Sequence, residues 1–123
     1  MSSINPQSEK QAERFRAPRV VFLVEQDGPP ERELKSRLVE LLVVQQSVSR
    51  AYLARVAYEG SPAESVALLL RAKAAPDESL LEKVGKIFTS LFGRHEHLDM
   101  MFINDVQEIE LAKCCRPFFN TAS

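Results

Sequence analysis

Two alternating apolar runs joined by a glycine–proline turn constrain this chain more than any other feature. From Val48 to Tyr58, an extended backbone sends Tyr52, Ala54, Val56 and Tyr58 to one side and Leu53, Arg55 and Ala57 to the other. Gly60-Ser61-Pro62 follows. Beyond it, Val66, Leu68, Leu70 and Ala72 alternate with Ala67, Leu69, Arg71 and Lys73. Period-two alternation on either side of turn residues predicts a β-hairpin. With 123 residues the chain fits a single domain able to bury a core without a disulfide or metal staple.

The flanks extend this hairpin into a larger pattern. Val20-Val21-Phe22-Leu23-Val24 is a short β-branched and aromatic run closed by Gln26-Asp27-Gly28-Pro29-Pro30, a strand and its turn. Pro30 suits a first helical position, and Glu31 and Glu33 favour the positive end of a helix dipole. Leu34, Leu38, Leu41 and Leu42 recur at helical spacing, so a first helix runs to about Gln46, with Glu31–Lys35 and Glu33–Arg37 as i,i+4 pairs. After the hairpin, Pro76, Asp77 and Glu78 open a second helix carrying Leu80, Val84, Ile87, Phe88 and Leu91, with Gly93 as its stop. Leu98–Ile103 reads as a fourth strand. Asp105 and Glu108 resemble a capping box, which starts a third helix whose stripe is Leu111, Cys114, Cys115 and Phe118.

The order β-α-β-β-α-β-α predicts an α+β, ferredoxin-like fold: a four-stranded antiparallel sheet, two helices on one face, and an added C-terminal helix. Residues 1 to about 18 are polar and unperiodic and read as a flexible tail before a single domain over 19–120.

Composition narrows the partners. Sixteen basic and 17 acidic residues give a net charge of −1, which supplies no field to gather nucleic acid or anionic lipid. No apolar run reaches the roughly 18 residues of a membrane span, and the N-terminus lacks the apolar core of a secretory signal. The only cysteines, Cys114 and Cys115, are adjacent, which suits a reducing compartment, so a cytoplasmic location is expected.

Parity in the strands raises a physical problem. If Glu25, Arg55 and Arg71 point away from the two-helix layer, then Val21, Leu23, Leu53, Leu69, Met101 and Ile103 point away with them. Burying each such aliphatic is worth about 1.5–3 kcal/mol, so a face of this kind is expected to be covered. The cover is either the third helix folding back or a second copy packing sheet against sheet. Eight of these, the six aliphatics with Arg55 and Arg71, are the expected interaction face, with a homodimer or other protein partner favoured over the self-covering helix.

Chemistry-bearing constellations are sparse. His95, His97 and Asp99 share a face if extended and are ligand types for Zn²⁺, yet exposed loop histidines beside an ordinary carboxylate explain them as well. Cys114-Cys115 lacks the Cys-x-x-Cys redox spacing and reads as two small buried hydrophobes on the helix stripe. No serine sits in a Gly-x-Ser-x-Gly elbow, and the four glycines are dispersed, so neither a nucleophile elbow nor a phosphate loop is expected. Arg50, Arg55, Arg71 and Lys73 form a basic strip on the hairpin. An RNA-binding sheet would also need exposed aromatics, and Phe22 is assigned to the core side.

The pieces Val21-Phe22-Leu23-Val24, Ala51-Tyr52-Leu53-Ala54, Leu98-Asp99-Met100-Met101-Phe102 and Cys115-Arg116-Pro117-Phe118-Phe119 together resemble the C-terminal domain of the bacterial SseB (enhanced serine sensitivity) family, across about residues 18–120. The resemblance implies a fold and no assigned catalytic or binding residue. The expected function is accordingly a non-enzymatic protein-interaction or regulatory module that self-associates and needs no cofactor. The alternative is a small-molecule, amino-acid-sensing domain of the ACT type, in which Asp27-Gly28-Pro29-Pro30 would be the ligand loop. A metal-dependent enzyme built on His95, His97 and the thiols ranks last.

Overall fold

The computed structural model describes residues 19–74 and 78–121. The elements run β1 (Val20–Glu25), α1 (Pro29–Gln45), β2 (Val48–Tyr58), β3 (Glu64–Ala72), α2 (Glu78–Phe92), β4 (Asp99–Phe102), α3 (Asp105–Ala112) and β5 (Phe119–Asn120). The expected N-terminal tail and the Pro76-Asp77 opening of the second helix lie outside the described residues.

Every helix and strand read from the sequence is present, and the α+β class holds, but the sheet is assembled differently. It is mixed, not antiparallel throughout. Its strands follow chain order, β1-β2-β3-β4, with β1–β2 and β2–β3 antiparallel and β3–β4 parallel. A ferredoxin-like plan needs two split βαβ units, and here only β3-α2-β4 joins parallel strands, which lie side by side. Burial gives the reason. Residues 51–54 of β2 and 67–70 of β3 are buried on both faces, so these strands occupy the middle, whereas β1 exposes Val21, Leu23 and Val24 and suits an edge. The register of β1 also shifts between Phe22 and Val24, a bulge that blunts this edge. A two-residue β5 pairs with Arg50 and Ala51 on the edge of β2 that β1 leaves free; α3 ends at Ala112, so Cys114, Cys115 and Phe118, expected on its stripe, lie beyond the helix.

Two apolar clusters sandwich the sheet. On the inner face, Leu34, Leu38 and Leu42 of α1 and Leu80, Val84 and Phe88 of α2 pack on Leu53, Leu68 and Leu70. On the outer face, Leu111 of α3 and Cys115 pack on Tyr52, Ala54, Val56, Leu69 and Ile103. Both long helices stop where the backbone turns left-handed. Gly93 does so at φ 89°, with its N–H on the Thr89 carbonyl, as expected of glycine. Gln46 does the same at φ 59° without that freedom. Of the two expected ion pairs on α1, Glu33–Arg37 forms at 3.0 Å. Lys35 turns instead to Asp27 at 3.3 Å and Glu25 at 3.7 Å, while Glu31 accepts from Gln26.

Candidate interaction surface

The eight residues expected on one open face divide between two. In an antiparallel pair, residues directly opposite share a face, and Leu53 lies opposite Leu68, Tyr52 opposite Leu69, and Arg55 opposite Val66. Leu53 and Arg55 therefore face α1 and α2, whereas Leu69 sits on the outer face with Met101 and Ile103. Arg71 also belongs to the outer face, where it reaches α3. Val21 and Leu23 are exposed on the edge strand. Phe22, assigned from sequence to the core side, lies opposite Val56 and joins the outer cluster. The misassignment came from carrying odd numbering across the hairpin, whose register pairs odd residues with even ones.

The outer face is covered by its own chain over part of its length. Leu69 is fully buried and Ile103 5% exposed under α3. Eight residues of helix span only about 12 Å, while the 11 residues of β2 span about 36 Å, so α3 roofs the face only in part. What holds it there is a carboxylate. Glu108 accepts from Arg50 Nε at 2.5 Å, Arg50 Nη2 at 2.8 Å and the Tyr52 hydroxyl at 2.5 Å. Arg71 Nε stands 3.2 Å from Glu108 Oε1 at ion-pair range, without hydrogen-bond alignment. The same guanidinium donates to the Ile103 carbonyl at 2.9 Å and to Asp105. The Arg50 guanidinium, aided by the Tyr52 hydroxyl, holds the Glu108 carboxyl below the usual carboxylate range against an opposing cost of burial. Burial, reinforced by Glu108, pushes the Tyr52 phenol up to about 12.

Sequence reasoning missed Glu108 in this role because it had been given to a cap. The capping box exists one residue earlier: the Asn104 side chain accepts from Gln107 N–H at 2.8 Å, and the Gln107 side chain accepts from Asn104 N–H at 2.9 Å. That shift frees Glu108 to face the sheet. The signal available was the trio Arg50, Tyr52 and Arg71, whose polar tips on an apolar face need an acceptor. These contacts also dissolve the basic strip, since Arg50 and Arg71 are engaged with α3 and Arg55 is on the other face.

Among the described residues, the face beyond α3 stays open. A groove of about 490 Å³ runs between β1 and α3, lined by Arg19, Val20, Phe22, Val106, Gln107 and Glu110. Val106, on the α3 wall of the groove, is 71% exposed, and Ile109, one turn further along the outward side of α3, is 63% exposed. Among the described residues Arg19 has no ion-pair partner, and Glu110 pairs only with the exposed Lys113 at 3.1 Å.

The remaining candidates are occupied or screened. Asp99 accepts from the Tyr58 hydroxyl at 2.6 Å and contacts His97 Nε2, and His95 is exposed. Among the described residues no three His, Cys, Asp or Glu side chains are grouped to hold a metal ion. Burial raises both thiols, Cys115 to about 12, leaving almost no thiolate at neutral pH. In the β1–α1 loop, Asp27 is taken by the chain's own Arg32 and Lys35, and its carboxyl is lowered by the Arg32 hydrogen bond first. Among the described residues no helix is long and apolar enough to cross a membrane.

A sequence model of the SseB protein C-terminal domain family matches residues 16–120. No curated protein and no solved structure matches the chain.

Proposed function

The chain belongs to the SseB protein C-terminal domain family, and from that premise we propose that it is a non-catalytic interaction module that self-associates through the β1–α3 groove. The observation that carries this reading is the exposed Val106–Ile109 ridge that walls a groove floored by Val20 and Phe22. An isologous two-fold contact requires that neighbourhood, because each copy must present both the ridge and the groove that receives it. Charge is self-complementary as well. Arg19 and Glu110 line the same groove, so a two-fold partner meets each with the opposite sign at both ends.

A non-catalytic role is supported by where the polar groups point. Glu108, Arg50, Tyr52 and Arg71 bind one another, and Cys115 is buried with its thiol pushed up to about 12. The two free cysteines fit a reducing, cytoplasmic setting, and the partner in this reading is protein, not nucleic acid or membrane.

Sedimentation equilibrium of the full chain across roughly 1–200 μM tests the proposal. A concentration-dependent dimer is expected, lost in Arg19→Glu and in Glu110→Arg separately and regained when the two variants are mixed. A species that stays monomeric over that range, or single variants that dimerise as well as the parent, would remove the reading.

A further inference from the structure

The inner face holds a second concavity, separated from the β1–α3 groove by the sheet. It is a cleft of about 190 Å³ where the start of α1, the end of α2 and the middle of β2 and β3 meet. Leu34, Leu53, Val66, Phe88 and Phe92 supply its apolar wall, with the two phenyl rings stacked at 4.8 Å between centroids. Gln26, Glu31, Arg55, Glu96 and His97 supply the polar part.

Arg55 is the unexpected member. It occupies a central strand on the face that otherwise carries Leu53, Val66 and Leu68, yet its guanidinium makes no hydrogen bond to the described residues. Its one ionic neighbour among the described residues is Glu64, 3.6 Å away. Arg50 and Arg71, on the opposite face, are each engaged by two or more acceptor atoms. The acids of the cleft have spare capacity too. Glu31 accepts a single 3.1 Å hydrogen bond from Gln26, and Glu96 has no partner among the described residues. His97, by contrast, is already in contact with Asp99.

One guanidinium and two carboxylates over an aromatic wall select for charge type. A simple carboxylate would meet Arg55 but be repelled by Glu31 and Glu96, and a simple amine would leave Arg55 unmatched. A molecule carrying both groups a few ångströms apart satisfies both. The volume lies below the roughly 300–1,000 Å³ of drug-sized sites, which limits the remainder to a small apolar group. We propose that this cleft binds a free α-amino acid with a short apolar side chain, its carboxylate on Arg55, its ammonium between Glu31 and Glu96, and its side chain against Phe88 and Phe92. The β1–Asp27-Gly28–α1 loop then acts by position: its own carboxylate is held by Arg32 and Lys35, while the flanking Gln26 and Glu31 border the ligand.

NMR titration of the ¹⁵N-labelled full chain with alanine, valine and leucine, each to 10 mM, tests the site. Saturable shifts are expected for at least one of the three at amides of Leu34, Leu53, Phe88 and Phe92. The matched fragments isobutylamine and isovalerate, each missing one charge of valine, should bind at least tenfold more weakly than the best amino acid. Arg55→Met and the loop variant Glu96→Gln should each weaken binding by at least tenfold, the second without disturbing a strand. The absence of saturable shifts with all three amino acids would overturn the proposal. So would isovalerate binding as tightly as valine, or Glu96→Gln binding unchanged. Because the cleft and the groove lie on opposite faces, loss of dimerisation leaves this result unaffected, and the reverse.

Discussion

Replacing Glu108 by glutamine keeps the shape of the side chain and removes the charge that fastens α3 to the sheet. In the parent, one carboxylate takes three hydrogen bonds from Arg50 and Tyr52 and lies within ion-pair range of Arg71. Hydrogen bonds to charged groups contribute about 1.5–3 kcal/mol each, and glutamine retains an oxygen that keeps some of them. The pair is shielded but not sealed, with Glu108 13% and Arg50 27% exposed, so solvent screening trims the total. A loss of about 2–3 kcal/mol in α3 docking is the expected result. Cys115 reports it, because it follows α3 by three residues, is 4% exposed in the cluster that Leu111 joins, and its thiol reaches the Leu53 carbonyl at 3.5 Å. In a Cys114→Ser background, labelling of Cys115 by a thiol reagent requires α3 to open. A loss of 2–3 kcal/mol raises the open population, and hence the labelling rate, by about 30- to 150-fold. The pH dependence has a fixed sign. The folded-state carboxyl is depressed, so its contribution is full above the ordinary carboxylate range and disappears as pH falls through the depressed value. The gap between parent and Glu108→Gln should therefore persist at pH 5–8 and close in stronger acid. A variant that labels within threefold of its background at pH 7 would refute the claim that Glu108 docks the helix.

Both tyrosines are raised to about 12, each by burial first and then by its carboxylate partner, Glu108 for Tyr52 and Asp99 for Tyr58. Ultraviolet titration should thus show little tyrosinate at pH 10.5, and a half-titrated phenol near pH 10 in the folded protein would contradict this. A raised phenol contributes stability below its unfolded pKa and loses it as pH rises through the folded value, so unfolding in alkali should track the same absorbance change. Leu111→Ala should cost about 2–5 kcal/mol in urea unfolding, since Leu111 is fully buried, and a cost below about 1 kcal/mol would deny that α3 is packed. Gln46→Gly should stabilise by about 0.5–1 kcal/mol, the left-handed strain of a side chain at φ 59° outweighing the added freedom of the unfolded chain. Destabilisation on the same measurement would place the left-handed turn elsewhere.

Local grammar was legible and pairing was not. The α1 stripe of Leu34, Leu38 and Leu42, the hairpin and the Gly93 stop follow from periodicity and from backbone stereochemistry, which act over a few residues. Strand order depends on which long strands bury both faces, and the uninterrupted buried runs of β2 and β3 could have marked them as central. Face assignment depends on hairpin register, which a two-residue error in loop length leaves alone and a one-residue error inverts. The connection here spans residues 59–63 and sets Leu53 opposite Leu68, so odd residues of β2 share a face with even residues of β3. That single offset moved Leu53 and Arg55 from the surface of the expected interface to the wall of a cleft.

The same offset explains why three polar residues on the outer face could have located α3 in advance. Once Tyr52 and Leu69 are neighbours, Arg50, Tyr52 and Arg71 lie together at one end of an otherwise apolar surface. Two guanidiniums and a phenol brought together need an anion, because leaving buried donors unsatisfied costs about 1–3 kcal/mol apiece. Among the acids that follow β4, Asp105 and Glu108 lie one helical turn apart on one face, so a short helix starting near Asn104 can answer both arginines at once. A cap supplied by Asn104 and Gln107 leaves both acids free for that purpose. The helix docks by charge at this end and by Leu111 and Cys115 further on, and its outward positions, Val106 and Ile109, stay exposed among the described residues. In the self-association proposed above, a second copy of the same surface would cover them.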